Sequence, residues 1–329
     1  MINPRIIEVS ETSAFGEIRR AASSLAEDIG LTEEDTGRLS LVVTELATNL
    51  IKHASRGTFL LGRSEGYENT IDVLVLDSGP GIGNIAEALR DGHSTTGTPG
   101  SGLGAVLRQA NFFQMYSAPQ HGTVSLVRIS GSERTQKLDA ADSGAVSVPF
   151  PGETVNGDGW TAKQVERGRR ILVVDGLGHG QLAHDAAQAA CAAFARAGGS
   201  LQETVLTIHD ALRGTRGAAV AVAELDLQSR VVRFAGVGNI SATIVDAAAR
   251  RSAVSLYGIV GHQIREVREY TYPWTAESTL IMHSDGLSTR WDLDTYPGLL
   301  GRDAVLIAGV LWKDYRRNND DSTVVVARA

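Results

Sequence analysis

The sequence predicts an α+β protein made of two globular domains. The chain has 329 residues, about twice the ~150 residues of an average domain. In its first half, a long helical pattern precedes a buried strand and glycine-rich turns. In its second half, short β-branched runs accompany an alanine-rich helix. Each half therefore combines helices with a sheet.

Composition narrows the choice of partners. Hydrophobic residues make up 43% and charged residues 21%, as in ordinary globular proteins. Lys and Arg number 31 against 38 Asp and Glu, and no basic block is present, which argues against nucleic-acid binding. No apolar stretch approaches the ~20 residues of a membrane span, and the N-terminus lacks a signal-peptide pattern. We expect a cytoplasmic protein with neither nucleic acid nor membrane as a partner.

The first half, residues 1–130, begins with a predicted helix over residues 31–54. Thr32 is a suitable N-cap, and three acidic residues follow it at the positive end of the helix dipole. Residues 71–76 form a predicted buried strand that Asp72 interrupts. A second helix is predicted from about residue 103 to residue 111.

Polar residues and glycines in this half form three patterns that could bind a ligand. Glu45, Asn49 and His53 are spaced by four, so they lie on one face of the first helix. Asp77-Ser-Gly-Pro-Gly81 follows the strand, with glycines where backbone could approach a ligand closely. Gly100-Ser-Gly-Leu-Gly104 opens the next helix, whose free amides and dipole favour phosphate. Each pattern alone usually marks a surface charge or a turn, so their order along the chain carries the prediction.

This order resembles the ATP-binding fold of gyrase, histidine kinases and MutL, the GHKL type. Residues 45–54 are most similar to the serine kinases of the anti-sigma-factor class, including RsbT-type switch kinases. The resemblance implies that Asn49 binds the Mg²⁺ of ATP, that Asp77 accepts from the adenine amino group, and that Glu45 is the general base. His53 is interpreted as structural. The glycines implied in nucleotide binding are Gly79, Gly81, Gly100, Gly102 and Gly104.

Residues 131–146 are polar and without periodicity, which predicts a linker. The second domain is then predicted over residues 147–329. Its expected strands cover residues 171–174, 231–234, 280–282 and 323–326, with a helix over residues 183–197.

Aspartates in the second domain recur at the ends of these strands. Asp175 and Asp285 follow apolar strands, Asp158 lies in Asn-Gly-Asp-Gly-Trp, and Asp320-Asp321 precedes the last strand. A single Asp-Gly pair usually marks only a turn. Together these oxygen ligands suit Mn²⁺ or Mg²⁺ better than zinc. Two such ions would lower the pKa of a shared water towards ~7 and support hydrolysis of a phosphomonoester.

These motifs, in this order, resemble the SpoIIE-type branch of the protein phosphatase 2C family from about residue 147 to the end. The resemblance implies an α/β/β/α sandwich with Asp158 and Asp175 at the catalytic metal centre. It also implies the Gly176 carbonyl, Asp285 and Asp320 as further ligands. Asp321 stays an alternative to Asp320, because adjacent residues of a strand point to opposite sides.

Three other features of this half stay open. Gly236, Gly238 and Asn239 are interpreted as a structural turn. His179 is either a turn residue, the interpretation we favour, or an acid near the leaving group. The eukaryotic members of the family bind substrate phosphate with an arginine, and the sequence assigns no equivalent here.

The leading hypothesis is a metal-dependent serine/threonine protein phosphatase fused to an ATP-binding, anti-sigma-type kinase domain. Its substrate would be a STAS-domain phosphoprotein in a partner-switching pathway, with a sigma factor or a stressosome-like complex as further candidate partners. In the alternative hypothesis the N-terminal half binds ATP or a partner and regulates the phosphatase without transferring phosphate. A scaffold with two inactive sites is the least favoured interpretation.

Overall fold

The computed structural model describes residues 2–54, 56–88, 102–131 and 138–329. The chain folds into two compact units. One comprises residues 1–144 together with 292–313, and the other comprises residues 145–291 together with 314–329. Residues 292–313 thus belong to the first unit, although they lie in the range that the sequence analysis assigned to the second domain.

The first unit is built on one antiparallel sheet with the strand order β1-β2-β3-β5-β4. Its elements are β1 (Ile2–Val9), α1 (Ala14–Asp28), α2 (Glu33–His53), β2 (Gly57–Arg63), β3 (Thr70–Asp77), α3 (Ile85–Ala88), α4 (Gly102–Gln109), β4 (Phe112–Ala118) and β5 (Gly122–Ser130). The predicted long helix, the buried strand and the second helix correspond to α2, β3 and α4. The fold is GHKL-like.

Helix α2 forms where its sequence predicts it. The Thr32 hydroxyl accepts from the Asp35 amide at 3.2 Å, and acidic residues occupy the first turn. Its buried stripe packs with α1 against one face of the sheet. The stripe consists of Leu39, Val42, Val43, Leu46, Ala47 and Leu50.

The remaining described elements follow in chain order. They include the strands of the second unit, and most of α7 belongs to the first unit. They are β6 (Ser143–Val148), β7 (Asp158–Val165), β8 (Gly168–Gly176), α5 (Gln181–Arg196), α6 (Leu201–Ala211), β9 (Ala218–Asp226), β10 (Val231–Val237), β11 (Ser241–Val245), β12 (Arg250–Ser252), β13 (Ser255–Leu256), β14 (Gly258–Ile259), β15 (Gln263–Ile264), β16 (Tyr270–Pro273), β17 (Thr279–His283), α7 (Ala304–Tyr315) and β18 (Ser322–Arg328). Two 3₁₀ turns, Leu293–Thr295 and Leu299–Gly301, precede α7.

Two sheets stack face to face in the second unit. One has the order β13-β10-β9-β8-β7, with β16 also paired to β10, and the other has the order β12-β11-β17-β18-β6. Apolar side chains from both sheets, such as Val173, Phe234 and Met282, form the core between them. Helices α5 and α6 cover the other face of the first of these sheets. The predicted α+β class is confirmed, and this half has a PP2C-like fold.

Both faces of the sheet in the first unit are buried. We call the face opposite α1 and α2 the outer face; its apolar residues include Leu60, Leu74, Leu76, Val124 and Leu126, each 2% exposed or less. Helix α7 packs on it. A Cβ placed on Gly309 would lie 2.8 Å from Leu74 Cδ2, so the absence of a side chain at Gly309 permits this close packing.

No helix in the described ranges is both long enough and apolar enough to cross a lipid bilayer.

Candidate active sites

One polar face of α2 meets the beginning of α4. Glu45 and Asn49 lie one turn apart on α2 and are both half-buried. A Cβ placed on Gly102, the first residue of α4, would lie 3.2 Å from Asn49 Oδ1 and 3.6 Å from Glu45 Oε2. Three of the predicted site residues therefore lie together, and glycine at position 102 leaves the space above the two side chains open.

Asp77 is held rigidly at the end of β3. Its Oδ1 accepts from the Gly79 amide at 2.8 Å and from the Thr123 amide at 3.2 Å. Burial raises the pKa of Asp77, while the two amide hydrogen bonds oppose that shift. The sequence analysis missed Thr123, because its contribution comes from the backbone of β5 and depends on strand pairing.

The other residues predicted for this pocket differ from one another in burial and backbone conformation. Gly81 has a φ of +79°, and a Cβ on it would lie 2.2 Å from the Ala118 carbonyl oxygen, so glycine is required there. Gly104 is buried in α4, and His53 is exposed. Gly100 lies outside the described residues. Their roles toward a nucleotide stay predictions.

The acidic residues of the second unit lie where its two sheets end. Asp158 at the start of β7 pairs directly with Asp175 in β8. Asp285 follows β17, and Asp320 and Asp321 precede β18, the strand paired with β17. The fold therefore brings all the predicted carboxylates to one end of the stacked sheets.

Two polar side chains hydrogen-bond carboxylates at this end of the stacked sheets. The Ser284 hydroxyl donates to Asp158 Oδ2 at 2.6 Å and accepts from the Thr323 amide at 3.0 Å. Asn239 Nδ2 donates to Asp285 Oδ2 at 2.8 Å. The sequence analysis did not select Ser284, although its position directly before Asp285 was the available signal.

Asn239 has a larger part in the site than its interpretation as a turn residue implied. Besides Asp285, it hydrogen-bonds Asp175 and thereby lowers the pKa of that carboxyl. The turn itself depends on Gly238, whose φ is +106° and where a Cβ would lie 2.4 Å from Ala219 Cβ. Gly238 permits the turn, and the side-chain amide of the next residue, Asn239, hydrogen-bonds the carboxylates.

Burial and mutual repulsion both act on the carboxylates of this cluster. Burial, followed by repulsion from Asp175, raises the pKa of Asp158 well above its usual range. Burial, followed by repulsion from Asp285, Asp320 and Asp321, raises the pKa of Asp175 to about 7. A divalent cation would relieve this repulsion, and the donors are oxygens, as Mn²⁺ and Mg²⁺ prefer. The residues therefore fit the predicted metal ions.

The carboxylates lie at the same end of the sheets but do not form a closed set of metal ligands within the described residues. Within the described ranges, no three His, Cys, Asp or Glu side chains converge into a metal cage. Because like charges repel one another, the carboxylates would move closer together only around a bound ion.

Asp320 and Asp321 differ in their surroundings. Asp321 is buried and its Oδ1 accepts from the Phe150 amide at 2.9 Å, while its Oδ2 has no hydrogen-bond partner among the described residues. Asp320 is more exposed, accepts from the Asp321 amide at 2.9 Å, and has its pKa raised by burial and by repulsion from Asp285. Asp320 is thus the more accessible of the two, and its role as a ligand stays a prediction.

Gly176 is the last residue of β8, and His179 lies in the loop between β8 and α5. Gly176 is buried and its amide donates to the Gly157 carbonyl at 3.1 Å. A Cβ on Gly176 would lie 2.3 Å from the Ala183 carbonyl oxygen, so glycine is required, and its carbonyl stays a predicted ligand. His179 is exposed, hydrogen-bonds Glu153 Oε1 at 2.9 Å and stacks on Phe150 at 4.7 Å between ring centres.

Both halves of the chain match known protein families. Residues 9–129 match the family described as the histidine kinase-like ATPase domain, and residues 166–329 match stage II sporulation protein E (SpoIIE). The chain therefore contains a histidine kinase-like ATPase domain followed by a SpoIIE domain. This confirms both resemblances that the motifs indicated.

Individual proteins and structures are similar to parts of this chain. The serine/threonine-protein kinase RsbT of Bacillus subtilis (strain 168) is 29% identical over 106 residues, which cover 32% of this chain and 80% of RsbT. A structure described as "The bacterial stressosome: a modular system that has been adapted to control secondary messenger signaling" is 28% identical, with a TM-score of 0.52, and covers 57% of this chain and 98% of its own. RsbX in complex with magnesium is 18% identical, with a TM-score of 0.49, and covers 57% and 94% of the two chains.

The chain thus joins a SpoIIE domain of PP2C-like fold to an RsbT-like kinase or ATPase module.

Proposed function

We propose that this protein removes phosphate from phosphoserine or phosphothreonine of a partner protein, and that its ATPase domain phosphorylates a protein serine with Mg²⁺-ATP. One observation carries the phosphatase proposal. Asp158, Asp175, Asp285 and Asp320 gather at one end of two stacked sheets, where burial and mutual repulsion raise the pKa of Asp158 and Asp175. A site of this kind gains stability from divalent cations.

In the phosphatase half, these four aspartates and the Gly176 carbonyl would hold two Mn²⁺ or Mg²⁺ ions. Such ions, when bound, stabilise negative charge on phosphate and make water a better nucleophile. Ser284 fixes Asp158 by its 2.6 Å hydrogen bond, and Asn239 fixes Asp285 at 2.8 Å. These contacts would hold the two carboxylates in fixed orientations for metal binding.

In the ATPase half, Asn49 would bind Mg²⁺ and Asp77 would accept a hydrogen bond from the adenine amino group. The two amides that bind Asp77 Oδ1 fix its orientation, so its other oxygen can be directed at a base. Glu45 would take the proton of a serine hydroxyl, which its position beside Asn49 and near Gly102 supports. Gly79, Gly81, Gly100, Gly102 and Gly104 would shape the pocket.

The proposed substrate is a STAS-domain phosphoprotein of a partner-switching pathway. Similarity to RsbT and to a structure described as a stressosome supports this choice. A sigma factor or a stressosome-like complex would be a further partner.

The phosphatase activity is tested by incubating the protein with phosphorylated STAS proteins encoded near its gene. We expect phosphate release that requires Mn²⁺ and stops with EDTA. Asp175→Asn should abolish it, whereas Asp185→Asn, at an exposed position of α5, should not. Absence of Mn²⁺-dependent release from every phosphoserine substrate would refute the proposal.

The kinase activity is tested with radiolabelled ATP and the same STAS proteins without phosphate. We expect Glu45→Ala to abolish transfer while nucleotide binding persists, and Glu34→Ala, exposed in the first turn of α2, to transfer normally. A wild-type protein that binds ATP but transfers no phosphate would instead support a regulatory, non-catalytic N-terminal module.

A further inference from the structure

Arg216 lies next to the loop that follows Asp175 and takes part in none of the interactions described above. The register of β8 and β9 pairs Asp175 with Ala219 and Gly176 with Ala218. One step further, the Leu177 amide donates to the Gly217 carbonyl at 3.1 Å. Arg216 therefore faces the loop that follows Asp175, and its backbone position is fixed by strand pairing.

The side chain of Arg216 folds back over that loop. A Cβ placed on Gly178 would lie 3.0 Å from Arg216 Nη1, and Gly178 itself has a φ of +84°. Arg216 is exposed, and within the described residues its guanidinium takes part in no hydrogen bond or ion pair. A cation with free donors is thus held next to the loop that follows Asp175 and Gly176.

The segment that carries Arg216 is well ordered by its own contacts. The Thr215 hydroxyl accepts from the Gly217 amide at 3.0 Å and donates to the Leu212 carbonyl at 2.7 Å. Gly217 has a φ of +78° and packs against Val260 and His262. These contacts fix the backbone from which the Arg216 side chain extends. Less entropy is therefore lost when the guanidinium binds a ligand.

We propose that Arg216 binds the phosphate group of the phosphoprotein substrate at the aspartate cluster. This inference rests on the proposed phosphatase function. A phosphoserine carries up to about two negative charges, and the carboxylates of the cluster would repel it. A planar guanidinium can donate two parallel hydrogen bonds to phosphate oxygens. Arg216 would fill the role for which the sequence alone offered no residue.

The test compares Arg216→Ala and Arg216→Lys in the full-length protein with Arg213→Ala. Arg213 is a matched control, because it is an exposed arginine of the same loop that pairs with Asp210 at 3.1 Å. The measurements are KM for a phosphoserine peptide, the inhibition constant of inorganic phosphate, and Mn²⁺ affinity by calorimetry.

Arg216→Ala should raise KM and the phosphate inhibition constant by about 10- to 100-fold, as expected for loss of hydrogen bonds to a charged group. Arg216→Lys should recover part of this loss, because it keeps the charge without the planar fork. Mn²⁺ affinity should be unchanged in both variants, and Arg213→Ala should match the wild type in every measurement.

Wild-type KM and phosphate inhibition in Arg216→Ala would overturn the inference. So would a parallel loss of Mn²⁺ affinity, which would indicate that Arg216 only stabilises the loop. If the wild type hydrolyses no substrate, calorimetry of inorganic phosphate with the Mn²⁺-loaded protein still decides. Weaker phosphate binding by Arg216→Ala than by the wild type supports the inference, and equal or undetectable binding by both overturns it.

Discussion

Asn239 illustrates how a single neutral side chain organises a group of like charges. Its amide donates to Asp285 at 2.8 Å and lowers the pKa of Asp175. Hydrogen bonds of this kind orient metal ligands without contributing charge. The residue therefore acts on two predicted ligands at once.

Asn239→Ala should reduce phosphatase activity and Mn²⁺ affinity by about 10- to 100-fold, as is usual when a residue that orients metal ligands is removed. The physical reason is that Asp285 and Asp175 lose a shared donor. Calorimetry with Mn²⁺ and phosphate-release rates measure the effect. Gln228→Ala, in an exposed turn, is the control, and a variant with wild-type metal affinity would contradict the assignment.

The pKa values of Asp158 and Asp175 predict an unusual pH dependence of stability in EDTA. Both are raised, that of Asp175 to about 7, whereas unfolded aspartate titrates near ~4. Between these values the folded state binds more protons than the unfolded state. The free energy of unfolding should therefore fall as pH rises through this window, by on the order of 2 kcal/mol.

Urea unfolding at about pH 5 and about pH 7.5 measures this slope, and the wild type is compared with Asp175→Asn to isolate the group. We expect the variant to lose most of the slope, and Mn²⁺ to raise the stability of the wild type at the higher pH. Equal slopes in the two proteins would contradict the charge argument.

At the scale of single elements, the N-terminus of α7 is anchored by a buried charge cluster. Asp303 accepts from the Val305 amide at 2.9 Å as the N-cap of α7, and both of its oxygens accept from Arg128 at 2.6 and 3.0 Å. Arg128 also pairs with Asp72 at 3.0 Å, and all three charged side chains are fully buried. The strands β3 and β5 are thus joined to α7 through one guanidinium.

Asp303→Ala should destabilise the protein by about 3–5 kcal/mol, because it leaves the buried guanidinium of Arg128 with one carboxylate fewer and removes a helix cap. Urea unfolding, together with hydrogen exchange of β5, measures the loss. Asp210→Ala, which breaks the exposed pair with Arg213, should change stability by less than about 1 kcal/mol. A comparably small effect of Asp303→Ala would contradict the role given to this cluster.

At the scale of the whole molecule, the segment 292–313 is far in sequence from residues 1–144, the rest of the unit to which it belongs. It lies inside the range that matches SpoIIE, yet by its contacts it belongs to the unit that contains the ATPase domain. Part of α7 covers the outer face of the ATPase sheet, at Leu74 and Val124. The matched ATPase range alone therefore does not include all of the residues that bury its sheet.

A chain truncated after Gly144 should consequently be less stable than the first unit in the intact protein. It would expose the apolar outer face, whose residues are 2% exposed or less in the intact chain. We expect increased binding of a hydrophobic dye and partial rescue by a peptide of residues 292–315. A truncated chain with native stability and no response to the peptide would show that α7 is dispensable.

Much of the fold could be predicted from local patterns. Thr32 and the apolar spacing after it identified α2, and the run from Ile71 to Leu76 identified β3. Asp72 was recognised only as an interruption of that run. Its partner Arg128 is 56 residues away, and no local pattern indicates that a buried carboxylate will meet a guanidinium at such a separation.

The sequence by itself determined the two domain families, the α+β class and the candidate aspartates, because short motifs and periodicity depend on neighbouring residues. Only the tertiary structure decided which side chains meet across strands and helices. It placed Asn239 between Asp175 and Asp285, Ser284 on Asp158, and α7 on the outer face of the first sheet. These contacts join residues far apart in the chain, so their energies depend on packing and burial that no local pattern encodes.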